Sequence, residues 1–212
     1  MDTRSNGEPH RYPAVARTSD LLRKSIETRR TERVSVGELL TALGDRAFGI
    51  IIVLLVLPTL IPGPPIPGYS LVFALAIALL ASQLARGFDR PALPGWCLRR
   101  SFDRARLDAM IQRAMPTVRR IERLAHVRPT YFTTRPGERL IGALAIAVAA
   151  ALAVPVPFGN TPPGLALLAL GLGLIERDGR LLALGALAGV AAVLYVGVLT
   201  AMAVLAAGWV FG

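Results

Sequence analysis

Three long stretches of this chain contain no charged residue, and they constrain the fold more than any other feature of the sequence. They are Ala47–Leu84, Leu140–Ile175 and Leu181–Gly212. Only 18% of all residues are charged, against about 25% in an ordinary soluble domain. Because about 20 consecutive apolar residues cross the hydrocarbon core of a bilayer as a helix, the sequence predicts an all-α integral membrane protein of the inner or plasma membrane.

Proline-rich segments interrupt the first two stretches near their middle. Leu57–Ser70 holds five prolines and two glycines, and a second break runs from Val154 to Gly164. A continuous helix cannot pass through, because each proline removes a backbone donor and clashes with the preceding turn. The first stretch divides into arms at 47–61 and 69–84, each rising roughly 22 Å, short of the roughly 30 Å core. We therefore expect proline-broken hairpins, with re-entrant hairpins as one form, whose arms meet inside the protein.

The two broken stretches align with each other at a constant shift of 93 residues. In each, an acid–arginine pair between glycines precedes an apolar arm, a Pro-x-Pro and a second apolar arm. We interpret this as a duplication, because the pair and the Pro-x-Pro recur without a gap. Repeats built from interrupted membrane helices are typical of transporters, with the site at the breaks. The matched positions are Gly44–Gly49 with Gly137–Gly142, Pro62 and Pro64 with Pro155 and Pro157, and Gln83 with Glu176.

The distribution of arginine predicts the orientation in the membrane. Nine basic residues lie within Arg4–Arg46 and thirteen within Arg86–Arg139. Cytoplasmic loops are enriched in Arg and Lys, so we expect both blocks in the cytoplasm, parallel hairpins, and a last span that places the C-terminus in the periplasm. The isoelectric point near 11.2 would also suit nucleic-acid binding. No groove-reading motif is present, however, and anionic lipid fits the basic face better.

Composition and periodicity divide the chain into five segments. The polar N-terminus has no early apolar run, so we expect no cleaved signal peptide. Within the second segment, an S-x-x-E pattern predicts a helix start just before the first arm. The segments are 1–18, a disordered tail; 19–85, an amphipathic lead-in and the first hairpin; 86–136, a basic cytoplasmic segment; 137–180, the second hairpin; and 181–212, a transmembrane helix.

Within the basic segment, residues 103–125 predict an amphipathic helix. Apolar side chains including Leu107, Met110 and Ile111 share one face, and arginines fill the rest. Such a helix lies in the membrane interface. The alternative is a soluble helix packed on a cytoplasmic core, for which few other apolar cytoplasmic residues are available.

The recurring acid–arginine pairs and the two breaks are the candidate binding site. Arginines at a polar membrane cavity bind anions or gate it. The alternative is interfacial anchoring, with acids at helix N-termini and arginines reaching headgroups. If the pairs form one site, Arg46 and Arg139 should face a common central cavity with the breaks nearby. Asn160 either binds substrate or satisfies backbone groups freed at the break. The candidate set is Asp45, Arg46, Pro62, Pro64, Glu138, Arg139, Pro155, Pro157 and Asn160.

The sequence contains no catalytic or metal-binding pattern. It lacks a nucleophile elbow, a P-loop and metal-ligand spacing, and it has one cysteine and two histidines. We therefore expect a non-enzymatic protein without cofactor or metal. A GxxxG at Gly185–Gly189 predicts close helix packing, either within one chain or between two.

At these motifs the sequence resembles the ExoD family of bacterial membrane proteins associated with exopolysaccharide synthesis. The resemblance rests on LGDRAFG (43–49), PGERLIG (136–142), PVPFGNTPPG (155–164) and LIERDG (174–179), and it covers roughly residues 20–205. It implies an inner-membrane protein involved in polysaccharide production, without catalytic or binding residues to carry over. The pattern is also similar to that of DedA-type membrane proteins, which look like lipid transporters, by analogy alone.

The leading hypothesis is a non-enzymatic membrane protein that supports exopolysaccharide synthesis or envelope homeostasis, and its architecture makes it a candidate small transporter of an anionic lipid or lipid-linked sugar. The competing hypothesis is an assembly partner that recruits polysaccharide-synthesis enzymes, and an enzyme acting on lipid-linked sugar ranks third. The expected partners are the bilayer, anionic headgroups, polysaccharide-synthesis proteins and further copies of the chain. A polar cavity lined by both breaks would favour transport, whereas a filled interface between the repeats would favour assembly.

Overall fold

The structure of the chain is a computed structural model, and it describes residues 33–44, 46–60, 68–98, 101–103, 131–155 and 159–211. Within these residues the fold is helical apart from one short antiparallel ladder. The helices are α1 (Val36–Leu43), α2 (Arg46–Leu60), α3 (Tyr69–Ala85), α4 (Gly95–Leu98), α5 (Arg135–Ala153), α6 (Thr161–Glu176) and α7 (Gly179–Phe211), with a 3-10 turn at Tyr131–Thr133. The ladder pairs β1 (Arg33–Ser35) with β2 (Ser101–Asp103).

The helical character expected from the charge-free stretches is confirmed, and the helices separate at the two proline-rich segments. Pro58 lies inside the last turn of α2, and α3 resumes at Tyr69. In the second stretch, α5 ends at Ala153 and α6 begins at Thr161. Pro162 and Pro163 open α6, where the missing N–H groups would have no intrahelical partner in any case.

Among the described residues, two helices are long and apolar enough to cross a membrane, Arg135–Ala153 and Gly179–Trp209. The apolar helices Arg46–Leu60, Tyr69–Ala85 and Thr161–Glu176 are shorter. A helix of 15 residues, such as α2, rises only about 22 Å. By length alone, therefore, α5 and α7 are the candidate membrane spans.

The four helices of the two broken stretches pair crosswise, because glycines allow very close approach. A Cβ on Gly49 of α2 would lie 2.5 Å from the carbonyl oxygen of Gly171 in α6. A Cβ on Gly142 of α5 would lie 2.5 Å from the backbone nitrogen of Ala85 in α3. Each first arm therefore packs on the second arm of the other stretch.

Both crosswise pairs are antiparallel. Along α2, Gly49 lies against Ile175 near the end of α6, whereas Leu60 lies against Gly164 near its start. In the other pair, Gly142 near the start of α5 lies against Ala85, the last residue of α3. The starts of α2 and α5 and the ends of α3 and α6 therefore lie at one end of the bundle, next to charged residues. The proline-rich breaks lie at the other end. We call these the charged end and the break end.

The core between the four helices is filled with apolar side chains. The largest fully buried ones include Phe48, Ile52, Ile77, Ile141 and Leu167. Burial of a side chain of this size contributes about 1.5–3 kcal/mol when the alternative is water. Within a bilayer, van der Waals contacts between the closely packed helices stabilise the bundle instead.

Helix α7 covers one side of the bundle with its first half. A Cβ on Gly185 would lie 2.9 Å from Leu170 of α6, and one on Gly189 would lie 3.0 Å from Val148 of α5. The GxxxG therefore packs within the chain. The C-terminal end of α7 projects from the bundle, with residues 201–209 all exposed. Its 33 residues rise about 50 Å.

Several sequence-based predictions lie outside the described residues. These are the N-terminal tail and most of the interfacial helix at residues 103–125. The same holds for the candidate residues Asp45, Pro62, Pro64 and Pro157. They stay predictions. The short β1–β2 ladder was not expected, since three residues of each strand carry too little periodicity to identify it.

Candidate functional site

At the charged end, the junction between α2 and α6 buries three charged residues. Arg46, the first residue of α2, is 6% exposed, and Glu176 and Asp178 at the end of α6 are 9% and 6% exposed. Arg46 lies one turn before Gly49, which packs on Ile175. Each of the three charged side chains has an interaction partner. Because an arginine stays charged when buried, acids or carbonyl groups must compensate the positive charge of Arg46 at this junction.

Asp178 has an identified structural role at this junction. Its Oδ1 atom accepts hydrogen bonds from the backbone N–H groups of Arg180, at 2.9 Å, and Leu181, at 3.4 Å. It is therefore the N-cap of α7, satisfying donors that a helix start leaves unpaired. The carboxylate also complements the positive end of the helix dipole.

The junction between α3 and α5 has the opposite character. Arg139 is exposed, and its guanidinium group lies against Gly87 in the turn after α3. A Cβ on Gly87 would lie 2.6 Å from Nε and 2.7 Å from Nη2 of Arg139. Gly87 has a φ of 83°, a left-handed conformation that favours glycine. A side chain at position 87 would therefore require the guanidinium group of Arg139 to shift.

Two further contacts hold the segment after α3 in place. Gln83 is 8% exposed. Its Nε2 donates to the carbonyl oxygen of Ala92 at 3.1 Å, and its Oε1 accepts from the N–H of Ala92 at 2.7 Å. Arg135, at the start of α5, forms an exposed ion pair with Asp89 at 3.0 Å. The amide pair fixes the loop from within, and the ion pair ties it to α5 from outside.

At the break end, the two proline-rich segments meet through a polar contact. The Nδ2 atom of Asn160, just before α6, donates to the hydroxyl oxygen of Ser70 in the first turn of α3. The Oδ1 atom of Asn160 is buried and has no hydrogen-bond partner among the described residues. Nearby, the Tyr69 hydroxyl donates to the carbonyl oxygen of Pro58 at 3.3 Å. The N-termini of α3 and α6 thus lie together, with the Asn160 amide between them.

The candidate residues therefore fall into two separate groups. Arg46, Glu138 and Arg139 lie at the charged end, whereas Pro155 and Asn160 lie at the break end. The prediction that the arginines and the breaks share one central cavity is wrong for this structure. The physical reason is that the arm between the two motifs is a continuous helix, so the motifs are its two ends, about 22 Å apart for α2.

Two residues of the candidate site were missed from the sequence. In the sequence Ser70 is only the edge of the break, and its hydroxyl group, like that of Tyr69, lies in the first turn of the second arm. Gly87 was not singled out, although a glycine directly after an apolar arm and before a charged loop is a usual helix end. Among the described residues, no group of three or more His, Cys, Asp and Glu side chains could hold a metal ion.

Comparison with known proteins finds a protein-family model and two proteins that resemble this chain. A family model described as "Exopolysaccharide synthesis, ExoD" matches residues 18–198. Protein ExoD of Rhizobium meliloti is 35% identical over 186 residues, covering 85% of this chain and 76% of that protein. The uncharacterized protein slr1875 of Synechocystis sp. is 31% identical over 153 residues, covering 72% of each chain. No solved structure matches the chain.

The family match takes in both broken stretches, the charged loop between them and more than half of α7. It therefore includes both groups of candidate residues, at the charged end and at the break end. The chain belongs to the ExoD family, which is associated with exopolysaccharide synthesis.

Proposed function

We propose that this chain is a multi-pass inner-membrane protein that supports exopolysaccharide synthesis by moving an anionic lipid or lipid-linked sugar across the bilayer. The observation that carries the proposal is the contact between the two breaks. There, Asn160 and Ser70 join two helix starts, and the buried amide oxygen of Asn160 has no hydrogen-bond partner in the part of the chain that the structure describes.

The exposed surface of the bundle supports the membrane placement. Large apolar side chains point outward on α2, α3 and α7, among them Leu54 at 61%, Leu75 at 62% and Leu187 at 69% exposed. Such continuous apolar surfaces are rare on soluble proteins. With the charged end in the cytoplasm, the enrichment of basic residues on that side follows, and α7 leads the C-terminus to the periplasm.

The crosswise helix pairing supports the duplication. Gly49 and Gly142, which the shift of 93 residues matches, are both points of closest helix approach. The turns that end the second arms are alike too. The N–H of Phe88 bonds to the Gln83 carbonyl oxygen, and that of Asp178 bonds to Gly173, each at 3.1 Å. Those turns differ by 90 residues, so we propose a repeat whose second copy lost three residues between the Pro-x-Pro and this turn.

The two helix starts at the breaks suit a polar or anionic group. Helix N-termini carry partial positive charge, and transporters built from broken helices direct such ends at anionic substrate groups. A buried polar atom without a hydrogen bond is costly. A substrate that supplied the missing partner to the Asn160 amide would therefore gain binding energy at this point.

The second candidate function is an assembly partner that recruits polysaccharide-synthesis proteins without transport. The filled core favours it, since apolar side chains such as Phe48, Ile77 and Leu167 close the interface between the two hairpins. Transport would require this interface to separate during the cycle. The two functions therefore differ in whether the hairpins move against each other.

The test is lipid movement in liposomes that contain the purified full chain. A fluorescent anionic lipid is placed in the outer leaflet, and its protection from an impermeant quencher is followed with time. We expect faster protection with the wild-type chain and loss of that effect in Ser70→Ala. Ser82→Ala is the matched control, because Ser82 lies on the same helix but bonds to the Leu79 carbonyl oxygen near the charged end.

If the wild-type chain does not accelerate lipid movement while it binds polysaccharide-synthesis proteins in native membranes, the assembly role replaces transport. Orientation is tested separately, with reporters active only in the periplasm. A reporter after residue 100 should be silent and one at residue 212 should be active. The reverse pattern would contradict the proposed orientation.

A further inference from the structure

A basic surface lies at the charged end, where the turn after α3 meets the first turn of α5. Arg86 and Arg90 belong to the turn, and Arg135 and Arg139 to the helix, and all four are exposed. Asp89 pairs with Arg135. Arg86, Arg90 and Arg139 have no ion pair with another described residue. Arg86 and Arg90 flank Gly87 in the chain, and Arg139 contacts Gly87 from α5.

Arg139 differs from an ordinary surface arginine because its guanidinium group packs against the backbone at Gly87. Its Nε and Nη2 atoms lie where a side chain on residue 87 would begin. The turn itself is held by the two hydrogen bonds of Gln83 to Ala92. The planar guanidinium fork is preorganised, so less entropy is lost for each hydrogen bond when it forms a two-pronged contact with a phosphate or carboxylate.

Arg46, the matching arginine on the other side of the bundle, cannot bind a ligand in the same way. Arg46 is 6% exposed and has a partner, and the turn beside it carries Arg177 with a φ of 52° where the first copy has Gly87. The chain therefore offers one exposed arginine of this pair, on the α3–α5 side only.

Apolar side chains lie directly beside the arginine. Phe88 is 47% exposed and Leu140 is 53% exposed, and they are the neighbours of Gly87 and Arg139 in sequence. An exposed guanidinium next to exposed apolar side chains has the chemistry of the membrane interface, where the charge reaches headgroups and the apolar groups meet acyl chains.

We infer that Arg139, seated on Gly87 and flanked by Arg86 and Arg90, binds the phosphate of an anionic phospholipid headgroup at the cytoplasmic surface. The inference rests on the proposed membrane placement but not on transport. It assigns one such site to each chain, about the length of a helix away from the Asn160–Ser70 contact.

The probe is phosphatidylglycerol in nanodiscs that otherwise contain phosphatidylcholine, with the full chain incorporated. The number of phosphatidylglycerol molecules retained by the protein is measured by native mass spectrometry as its fraction rises. We expect saturable binding, weakened about tenfold in Arg139→Gln, as the loss of one charge-assisted two-pronged contact implies. Arg139→Lys should weaken binding less. Arg180→Gln, which removes another exposed arginine at the same end, should change it less than about twofold.

Gly87→Asn tests the position of the arginine apart from its charge. Asparagine tolerates the left-handed backbone better than most residues, but its Cβ would displace the guanidinium group. Binding should weaken although the net charge is unchanged. If Gly87→Asn binds as the wild type does, or if Arg180→Gln is as damaging as Arg139→Gln, the site is overturned in favour of general attraction to a basic face.

Two further measurements distinguish a wrong lipid assignment from a wrong membrane placement. Inorganic phosphate added to phosphatidylcholine nanodiscs should not protect the chain against thermal unfolding. Protection that depends on Arg139 would overturn the lipid assignment in favour of a free anion. A chain that enters nanodiscs normally but retains phosphatidylglycerol regardless of residue 139 refutes this inference alone, whereas a chain that does not enter nanodiscs refutes the membrane placement beneath it.

Discussion

At both junctions, α2–α6 and α3–α5, the first arm begins with an acid–arginine pair whose arginine lies three residues before a glycine. The arginine is buried at one junction and exposed at the other. Arg46 is buried with Glu176 and Asp178 at its junction. Arg139 is exposed and lies on Gly87. The difference comes from the partner helix, because α6 runs into α7 through a short charged turn while α3 runs into an exposed loop.

Equivalent residues in two similar hairpins therefore need not share a role. The buried arginine belongs to the packing of the bundle, and the exposed one is free to meet a ligand. A sequence motif that recurs twice is therefore weak evidence for one shared site. The three predictions that follow test the comparison.

The largest effect is expected from Arg46→Met. Removing a buried charge leaves its partner without compensation, which costs about 3–5 kcal/mol. The same change at Arg139 should cost less than about 1 kcal/mol, because the side chain is exposed and forms no ion pair with a described residue. Thermal unfolding in detergent, followed by size-exclusion fluorescence, measures both. Equal losses of stability would contradict the distinction between the junctions.

A smaller effect, shared by both junctions, is expected from Gly49→Ala and Gly142→Ala. Each new Cβ would lie 2.5 Å from backbone of the facing helix, so the helices must separate, at a cost of about 1–3 kcal/mol. Gly197→Ala is the matched control, since a Cβ there meets nothing within 4 Å. In the same unfolding assay, a control as unstable as either variant would show that helix contact is not the cause.

The smallest effect is expected from the exposed pair Arg135–Asp89. Both side chains are mostly solvent-accessible, at 75% and 67%, and such pairs contribute about 0–1 kcal/mol. Asp89→Asn should therefore barely change the unfolding temperature at low salt, and no difference should remain at 1 M salt, where the screening length is about 3 Å. A large, salt-independent loss would mean that Asp89 holds the Gly87 turn in place.

Much of the local structure could be predicted from the sequence because its causes are local. The arms expected at 47–61 and 69–84 correspond to helices 46–60 and 69–85, since proline acts on its own turn and apolar composition acts residue by residue. The second break was located for the same reason. Family membership also followed from short contiguous motifs.

The candidate site was less predictable, because its geometry depends on which helices pair. Asn160 was singled out as a polar residue in the break, but its contact with Ser70 joins residues 90 positions apart. The common cavity for Arg46, Arg139 and the breaks failed since a helix separates its two ends by its full length. Gly87 carried a turn signal, but nothing in the sequence connected it with Arg139.

The sequence by itself therefore determined that this chain is helical, where its helices break, and which residues could bear charge in an apolar protein. Backbone hydrogen bonds within a helix span four residues, so nearby composition suffices for these properties. The tertiary structure alone decided that α2 packs on α6 and α3 on α5, that the GxxxG of α7 packs within the chain, and that Arg46 is buried while Arg139 is exposed. Those outcomes depend on complementary surfaces far apart in the chain, above all on glycines that let two backbones meet.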